Sequence, residues 1–150
     1  MRIRGRIGLS GLCFVNAIII CPEMNIDDPI RFCIDTGSSA TTICYSDVSR
    51  LHIDYAKLTK SRLNALGIGG TVQVYLMGQS SLKFTTDDNR IHTHELERIR
   101  VLKHTSDRKW YDPKRVLELI HLRWIPSLLG MDVLRHYRIA FEDRTVVLEK

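Results

Sequence analysis

Cysteine is scarce in this sequence, and the spacing that most often marks a zinc site is missing. The four cysteines of the 150-residue chain form no Cys-x-x-Cys pair and all fall in its first third; they are Cys13, Cys21, Cys33 and Cys44. Zinc sites built from cysteine need such closely spaced pairs. His92 and His94 would share one face of a strand, but no third ligand accompanies them. We therefore expect free, mostly buried thiols, no metal and no other cofactor.

A long apolar run is also missing, since a membrane span takes about 20 residues. The nearest candidate is residues 7–20, which follow three arginines and are interrupted by Ser10 and Asn16. No small-x-small cleavage pattern comes after it, so an N-terminal signal or anchor is kept only as an alternative. We interpret Leu12–Met24 as a core strand that pairs with Ile30–Ile34 through a turn at residues 25–29. We expect a cytoplasmic protein without membrane contact.

Basic residues outnumber acidic ones, 22 against 17, and give a formal net charge of +5. They concentrate at the N-terminus and around residues 98–109. Aromatic side chains are not interleaved with them, whereas stacking aromatics are typical of sites for single-stranded nucleic acid. We interpret the charge as a solvated surface and expect no nucleic-acid partner. A basic nucleic-acid-binding β-domain is kept as an alternative.

A carboxylate follows directly on a short apolar segment in the first third of the chain. Ile30–Ile34 has the β-branched and aromatic content of a buried strand, and Asp35-Thr36-Gly37-Ser38-Ser39 comes next. The glycine permits a tight turn, so the carboxylate is held at a strand end. Thr36 and Ser38 add hydroxyl groups that can bond to the carboxylate or to the nearby backbone.

Two further segments accompany this turn. Asn64-Ala65-Leu66-Gly67-Ile68-Gly69-Gly70-Thr71-Val72 is glycine-rich and leads into alternating apolar residues, as in a hairpin. Ile125-Pro126-Ser127-Leu128-Leu129-Gly130-Met131-Asp132 places two apolar residues and a glycine before a short helix. In this order, the three segments resemble the active-site turn, the flap and the supporting segment of retropepsin-like aspartic proteases. The resemblance covers about residues 10–149.

The resemblance implies a mainly β fold, a retropepsin-like closed β-barrel half with a glycine-rich flap hairpin and one or two short helices. Residues 1–150 would form a single domain. Asp35 would be the catalytic residue, with Thr36, Gly37 and Ser38 as its active-site support. The resemblance assigns flap and substrate contacts to Leu66, Gly67, Ile68, Gly69 and Gly70, and support from the second segment to Leu128, Leu129, Gly130 and Asp132.

Catalysis in this family needs two carboxylates, but Asp-Thr-Gly occurs once here and no internal repeat supplies another. The resemblance therefore implies an aspartic endopeptidase that acts on peptides or proteins as a homodimer, with its site on the twofold axis. Viral members usually carry arginine at the position of Met131, so their subunit contacts are not transferred. Whether the N-terminus, the strand Thr145–Leu148 or both form the interface stays open. A catalytically silent peptide-binding or dimerisation module is an alternative.

Short helices and hairpins are predicted for the rest of the chain. Ser46–Leu51 favours a helix with Ser46 as its cap. Residues 103–124 are interpreted as a helical insertion in which Asp112 caps a helix beginning at Pro113. The apolar side chains of that helix are expected to form a packing face, and Trp110 and Trp124 flank it; the face consists of Val116, Leu117, Ile120 and Trp124.

The last third is predicted to close with a helix over Met131–Arg135 and a hairpin of Arg138–Phe141 with Thr145–Leu148. Upstream, strands are expected over Ser80–Thr86 and Arg90–Leu102, joined by a turn at Asp87-Asp88-Asn89. At the catalytic turn, the Ser38 hydroxyl is expected to donate to the charged Asp35 and so to lower the pKa of the carboxyl group.

Overall fold

The computed structural model of the chain describes residues 1–62, 64–67, 70–105, 109 and 111–150. It is built mainly from β-strands, as the sequence predicted. The longest pair is an antiparallel hairpin of β3 (Cys13–Cys21) and β4 (Ile26–Ile34). Alternate residues of β3 are buried, which is the period-2 pattern of a strand with one face on the core.

The turn of this hairpin is shorter than the sequence suggested. A 3₁₀ turn at Pro22–Met24 and a left-handed Asn25, with φ of 54°, reverse the chain. Asparagine tolerates this region of φ better than most residues. Residues 26–29, which were predicted to lie in the turn, are therefore free to pair with residues 18–21 of β3.

A mixed, 11-stranded sheet contains this hairpin. Its main path has the order β10-β9-β3-β4-β12-β5-β11-β8-β6, with β2 on β3 and β7 on β8. Its other strands are β2 (Arg6–Ile7), β5 (Thr42–Ile43), β6 (Thr59–Lys60), β7 (Ala65–Gly67), β8 (Gly70–Met77), β9 (Ser80–Thr85), β10 (Ile91–Leu96), β11 (Ile99–Lys103) and β12 (Ser127–Leu129). The predicted strand Arg90–Leu102 is thus two strands, β10 and β11. Closure of the sheet into a barrel stays a prediction.

The two ends of the chain form a separate three-stranded sheet, with the order β1-β14-β13. It consists of β1 (Arg2–Arg4), β13 (Arg138–Glu142) and β14 (Thr145–Glu149). Arg2 contacts Glu142 and Glu149 across the sheet. The C-terminal strand β14 therefore lies between two strands of its own chain.

Three α-helices are described: α1 (Tyr45–Arg50), α2 (Pro113–Trp124) and α3 (Met131–Leu134). The Asp112 carboxylate accepts a hydrogen bond of 2.9 Å from Lys114 N, which confirms the predicted cap of α2. The predicted cap of α1 is wrong, because Cys44 occupies the cap position without a side-chain bond and Ser46 lies in the first turn.

The prediction that the apolar side chains of α2 pack against the protein is also wrong. No residue of α2 is buried, and the four side chains of the predicted packing face are 47–80% exposed; they are Val116, Leu117, Ile120 and Trp124. Trp110, the other predicted flanking residue, lies outside the described residues. The strands supply most of the largest fully buried side chains, such as Phe32, Ile43 and Leu129, and α3 adds Leu134. Within the described ranges, no helix has the length and apolar character that crossing a membrane requires.

Candidate active site

Asp35 lies immediately after the last residue of β4 and is only half-buried. Its N–H donates to the Leu129 carbonyl at 3.1 Å, which anchors the start of the turn. The Gly37 N–H donates to Asp35 Oδ1 at 2.9 Å, and the Ser38 N–H donates to the Asp35 carbonyl at 3.2 Å. The backbone of the turn thus fixes one carboxylate oxygen. Among the described residues, the other oxygen has no hydrogen-bond partner.

Thr36 and Ser38 use their hydroxyl groups differently. Thr36 is exposed, and its hydroxyl makes no hydrogen bond within the described chain. Ser38 Oγ donates to the Ala40 carbonyl at 2.8 Å. A hydroxyl has one proton to donate, so the predicted bond from Ser38 to Asp35 is absent here. Ser38 instead closes the turn against the start of β5.

Strand β12 supports the turn by pairing with the strands on both sides of it. It lies between β4, with which it runs parallel, and β5, with which it is antiparallel. Leu128 is opposite Cys33 and Leu129 is opposite Ile34, so β12 ends where the catalytic turn begins. The Met131 N–H then donates to the Ser38 carbonyl at 2.8 Å. The Asp35 turn and the segment of residues 125–132 are therefore hydrogen-bonded to each other.

Gly130 is needed at this contact because of close approach. A Cβ at this position would lie 2.4 Å from the carbonyl carbon and 2.6 Å from the carbonyl oxygen of Ala40. These are backbone atoms that no change of rotamer can move. Residues 125–132 can pass this close to the turn only because Gly130 has no side chain.

Asp132 fixes the residues that follow the turn through hydrogen bonds to Thr41. Both of its carboxylate oxygens accept from Thr41 N at 2.9 Å, and Oδ1 also accepts from the Thr41 hydroxyl at 2.8 Å. That hydroxyl in turn accepts from Gly130 N at 3.2 Å. Thr41 is fully buried. A supporting role was predicted for Asp132 but not for Thr41, whose one signal is a hydroxyl residue directly before the short strand β5.

The glycine-rich segment forms a hairpin of β7 and β8. Gly67 is opposite Gly70, and Leu66 is opposite Thr71. Ile68 and Gly69, which were also assigned to the flap, lie outside the described residues. Strand β8 continues to Met77 and pairs with β11. The hairpin is therefore joined to the strand that lies parallel to β5 beside the catalytic turn.

A cavity of about 590 Å³ lies between this hairpin strand and the support of the turn. Ala40 and Asp132 line one side, and Val74 and Leu76 of β8 line another. Arginine and glutamate side chains also line it, so the cavity carries charges of both signs. Residues 35–39 are not part of its lining.

Two groups near the turn have altered acidity. Burial raises the pKa of the Cys33 thiol, and the neighbouring Asp35 charge raises it further. Burial lowers the pKa of His94, as does the His136 ring, whose centroid is 5.1 Å away. The described residues contain no cluster of three or more metal-ligating side chains. His92 instead contacts the Tyr137 hydroxyl at 2.9 Å.

Residues 23–133 match a family model described as aspartyl protease. The chain belongs to this family. The matched residues include the catalytic turn, the glycine-rich hairpin and the support formed by β12. No curated protein matches the chain.

The chain is also similar to solved structures of proteases. A retropepsin-like aspartic protease from Rickettsia conorii is 17% identical, with a TM-score of 0.58, over 99% of this chain and 90% of that one. EIAV protease, complexed with an inhibitor, is 16% identical, with a TM-score of 0.48, over 86% of this chain and 90% of that one. The predicted retropepsin-like fold is therefore confirmed, and the protein is an aspartic-type hydrolase.

Proposed function

We propose that this aspartyl protease is a homodimeric endopeptidase whose active site combines Asp35 from two copies of the chain. The observation that carries the proposal is the asymmetry of the catalytic turn. Its inner side is fully hydrogen-bonded within the chain through Leu129, Met131 and Asp132. Its outer side presents the half-buried Asp35 and the exposed Thr36. One chain therefore supplies one catalytic carboxylate, on a turn whose supporting hydrogen bonds all lie within that chain.

Two carboxylates close together cannot both ionise easily, so the pair shares one proton. The charged Asp35 takes a proton from a water molecule, which attacks the peptide carbonyl carbon. The protonated Asp35 donates its proton to the carbonyl oxygen as the tetrahedral intermediate forms. The pKa values then belong to the pair and not to either residue. Collapse of the intermediate breaks the C–N bond: the Asp35 that took the proton from water gives it to the amine, and the other Asp35 takes a proton from a hydroxyl group of the intermediate, so the pair again shares one proton.

Thr36 is placed to join the two turns. Its hydroxyl is exposed and makes no bond within the described chain, although it lies next to the reactive residue. In the proposed dimer, this hydroxyl donates to the backbone of the other subunit's turn, as the family resemblance implies. The contact would hold the two carboxylates at a fixed separation.

The three-stranded terminal sheet is the proposed interface. Its central strand, β14, is already paired on both sides. The outer edge of β1 is partly used, because Asp87 N donates to the Arg2 carbonyl. In the described residues, β13 has backbone bonds only to β14, and it carries Phe141, which is 68% exposed. An open edge with an exposed aromatic residue favours pairing with a second copy.

The substrate is proposed to bind as an extended strand between the catalytic turn and the β7–β8 hairpin. Main-chain pairing along the hairpin would hold the peptide, and the cavity beside Ala40 would receive a substrate side chain. The flap would exclude water from the carboxylates while the reaction proceeds. This arrangement uses Leu66–Gly70 as the sequence analysis assigned them.

The experiment is a dilution and mixing assay on a casein digest. Specific activity should fall on dilution, because only dimers are active. Adding excess Asp35→Asn chains to wild type should reduce activity further by forming mixed dimers with one working carboxylate. Activity that stays constant in a species shown by ultracentrifugation to be monomeric would contradict the proposal.

A surface variant tests the interface separately. Phe141→Arg should shift the dimer to monomer and lower activity at a fixed concentration. Ile91→Arg is the matched control, because Ile91 is 58% exposed on the edge strand β10 and should leave association unchanged. A dimer of Phe141→Arg as stable as wild type would move the interface away from β13.

A further inference from the structure

The larger apolar face of helix α2 points to solvent and not to the protein. Arg115, Glu118 and Leu122 are its partly buried members beyond the cap. At 100° per residue these three share one face, and Leu119, at the edge of that face, is 38% exposed. The inner face therefore mixes polar and apolar side chains. Amphipathic helices of globular proteins normally place their apolar stripe on the core, whereas the larger apolar stripe of α2 lies on the outside.

The exposed stripe is continuous along the helix. Val116, Leu117, Ile120 and Trp124 fall within about 100° of one another on the helical projection. Their exposed fractions are 54%, 54%, 47% and 80%. Isolated exposed apolar residues are ordinary, but a contiguous stripe marks an interaction surface.

Cationic side chains stand on both sides of this stripe. On the same projection, Lys114 lies on one flank and Arg123 on the other, and both are exposed. The one acidic residue within α2, Glu118, lies on the inner face. The outward surface of the helix is therefore apolar along its middle and positively charged at its margins.

We propose that α2 binds the surface of an anionic membrane, lying in the plane of the interface with its apolar stripe in the lipid. A helix of this kind inserts its apolar face to the level of the headgroups, while flanking lysine and arginine contact anionic lipid. Trp124, the most exposed residue of the stripe, is a side chain that favours this boundary. The proteolytic domain would then be held against a lipid surface.

A second copy of the chain fits this stripe less well. Two copies that paired through this stripe would bring Lys114 and Arg123 of both chains to the margins of one contact. No acidic side chain lies on the outward surface of α2 to balance these four cations. An anionic surface complements the same charges.

The test is sedimentation of the full-length protein with vesicles of phosphatidylcholine alone or with added phosphatidylserine. Binding should be at least about tenfold stronger to the anionic vesicles, since each basic residue near the surface contributes about fivefold. In a Trp110→Phe background, Trp124 fluorescence should shift to shorter wavelength when vesicles are added. Ile120→Glu, at the centre of the stripe, should abolish both signals.

Leu9→Glu is the matched control, because it introduces the same charge at a fully exposed leucine outside α2. It should bind vesicles as wild type does. Binding that is absent, equal on neutral vesicles, or unchanged in Ile120→Glu would overturn the proposal. So would dissociation of a dimer by Ile120→Glu without any vesicle binding, because that result would assign the stripe to a second copy. None of these outcomes depends on protease activity.

Discussion

Asp35 and Asp132 lie on two segments that meet at the same turn, yet their carboxylates have opposite surroundings. Asp132 accepts hydrogen bonds from Thr41 N, the Thr41 hydroxyl and Val133 N. Asp35 accepts one side-chain bond, from Gly37 N. The donors around Asp132 all come from its own chain, whereas among the described residues the second carboxylate oxygen of Asp35 has no donor.

The difference distinguishes Asp132, whose carboxylate is structural, from Asp35, whose carboxylate has an oxygen free to take part in a reaction. A carboxylate surrounded by backbone donors is fixed and acts as structure, because removing it leaves buried polar groups unpaired. A carboxylate with a free oxygen can bind water and exchange a proton. Substitution of the two residues should therefore affect different properties of the protein.

The largest effect is expected for Asp35→Asn. The amide is nearly isosteric but serves neither as base nor as acid, so hydrolysis should fall by about a thousandfold or more. The thermal midpoint should stay close to that of wild type, because the exchange at this half-exposed position removes no buried contact. The measurement pairs casein hydrolysis with a melting curve. Full activity in a preparation free of other proteases would remove Asp35 from the mechanism.

Asp132→Ala should chiefly reduce stability. Thr41 N and its hydroxyl would lose their acceptor in a buried position, which costs about 3 kcal/mol. For a chain of this length, the thermal midpoint should fall by about 10 °C. Asp112→Ala, which removes the cap bond of α2, is the control and should cost about 1 kcal/mol. Equal losses of stability in the two variants would mean that Asp132 contributes no more to stability than a helix cap.

Gly130→Ala tests the same support from its backbone side. The added Cβ would overlap Ala40, so the second segment must shift, at a cost of about 2 kcal/mol. Activity should fall as well, because the shift reaches Ser38 through Met131. Gly8→Ala is the control, since its Cβ would come no closer than 3.3 Å, to the Phe14 ring. A Gly130→Ala melting curve that overlays wild type would refute the close-packing argument.

The retropepsin-like fold and the contact of the Asp35 turn with residues 125–132 were expected from the resemblance of three short motifs to that family, and such motifs can be recognised in the sequence. Apolar residues at strand spacing and a glycine at each crossing are visible along the chain. The partners of Asp132 were not visible, because Thr41 becomes one only when β5 and α3 come together. The bond from Ser38 was predicted to the wrong oxygen, since the choice between Asp35 and Ala40 depends on the angle of the turn.

For helix α2, too, the sequence predicted a bond between near neighbours but not which side chains are buried. Its cap at Asp112 was predicted correctly, because the cap bond joins residues two positions apart. Its apolar residues were assigned to packing because most amphipathic helices pack that way. Periodicity identifies which residues share a face, but it does not say whether the protein or another surface covers that face.

A smaller effect concerns acid stability and His94. Burial and the positive groups His136, His92 and Lys150 lower its pKa, while Asp132 opposes them. A group whose pKa is lower in the folded state binds its proton better when unfolded. Stability should therefore be complete above about pH 6.5 and decline as pH falls through the pKa of the folded state. Denaturant unfolding from pH 7 to 5 should show a shallower decline for His94→Gln than for His121→Gln, an exposed histidine of α2. Parallel curves would exclude His94 as a cause.

The smallest effect is expected for Ser38→Ala. Its hydroxyl bonds to the Ala40 carbonyl, so its removal should cost about 1 kcal/mol of stability. The acid limb of the kcat/KM profile should stay in place, because no bond to Asp35 is lost. An upward shift of that limb would show that Ser38 turns to the carboxylate in the active dimer, as the sequence alone suggested.

The pairing of Thr41 with Asp132 also sets an order of assembly, because the two residues are 91 positions apart. Contacts between neighbouring segments close sooner than contacts between distant ones. The β3–β4 hairpin can form as soon as its residues are synthesised, whereas the catalytic turn must wait for the segment that ends at Asp132. The turn that carries Asp35 is therefore synthesised early, but it reaches its final arrangement only when the segment that ends at Asp132 folds against it.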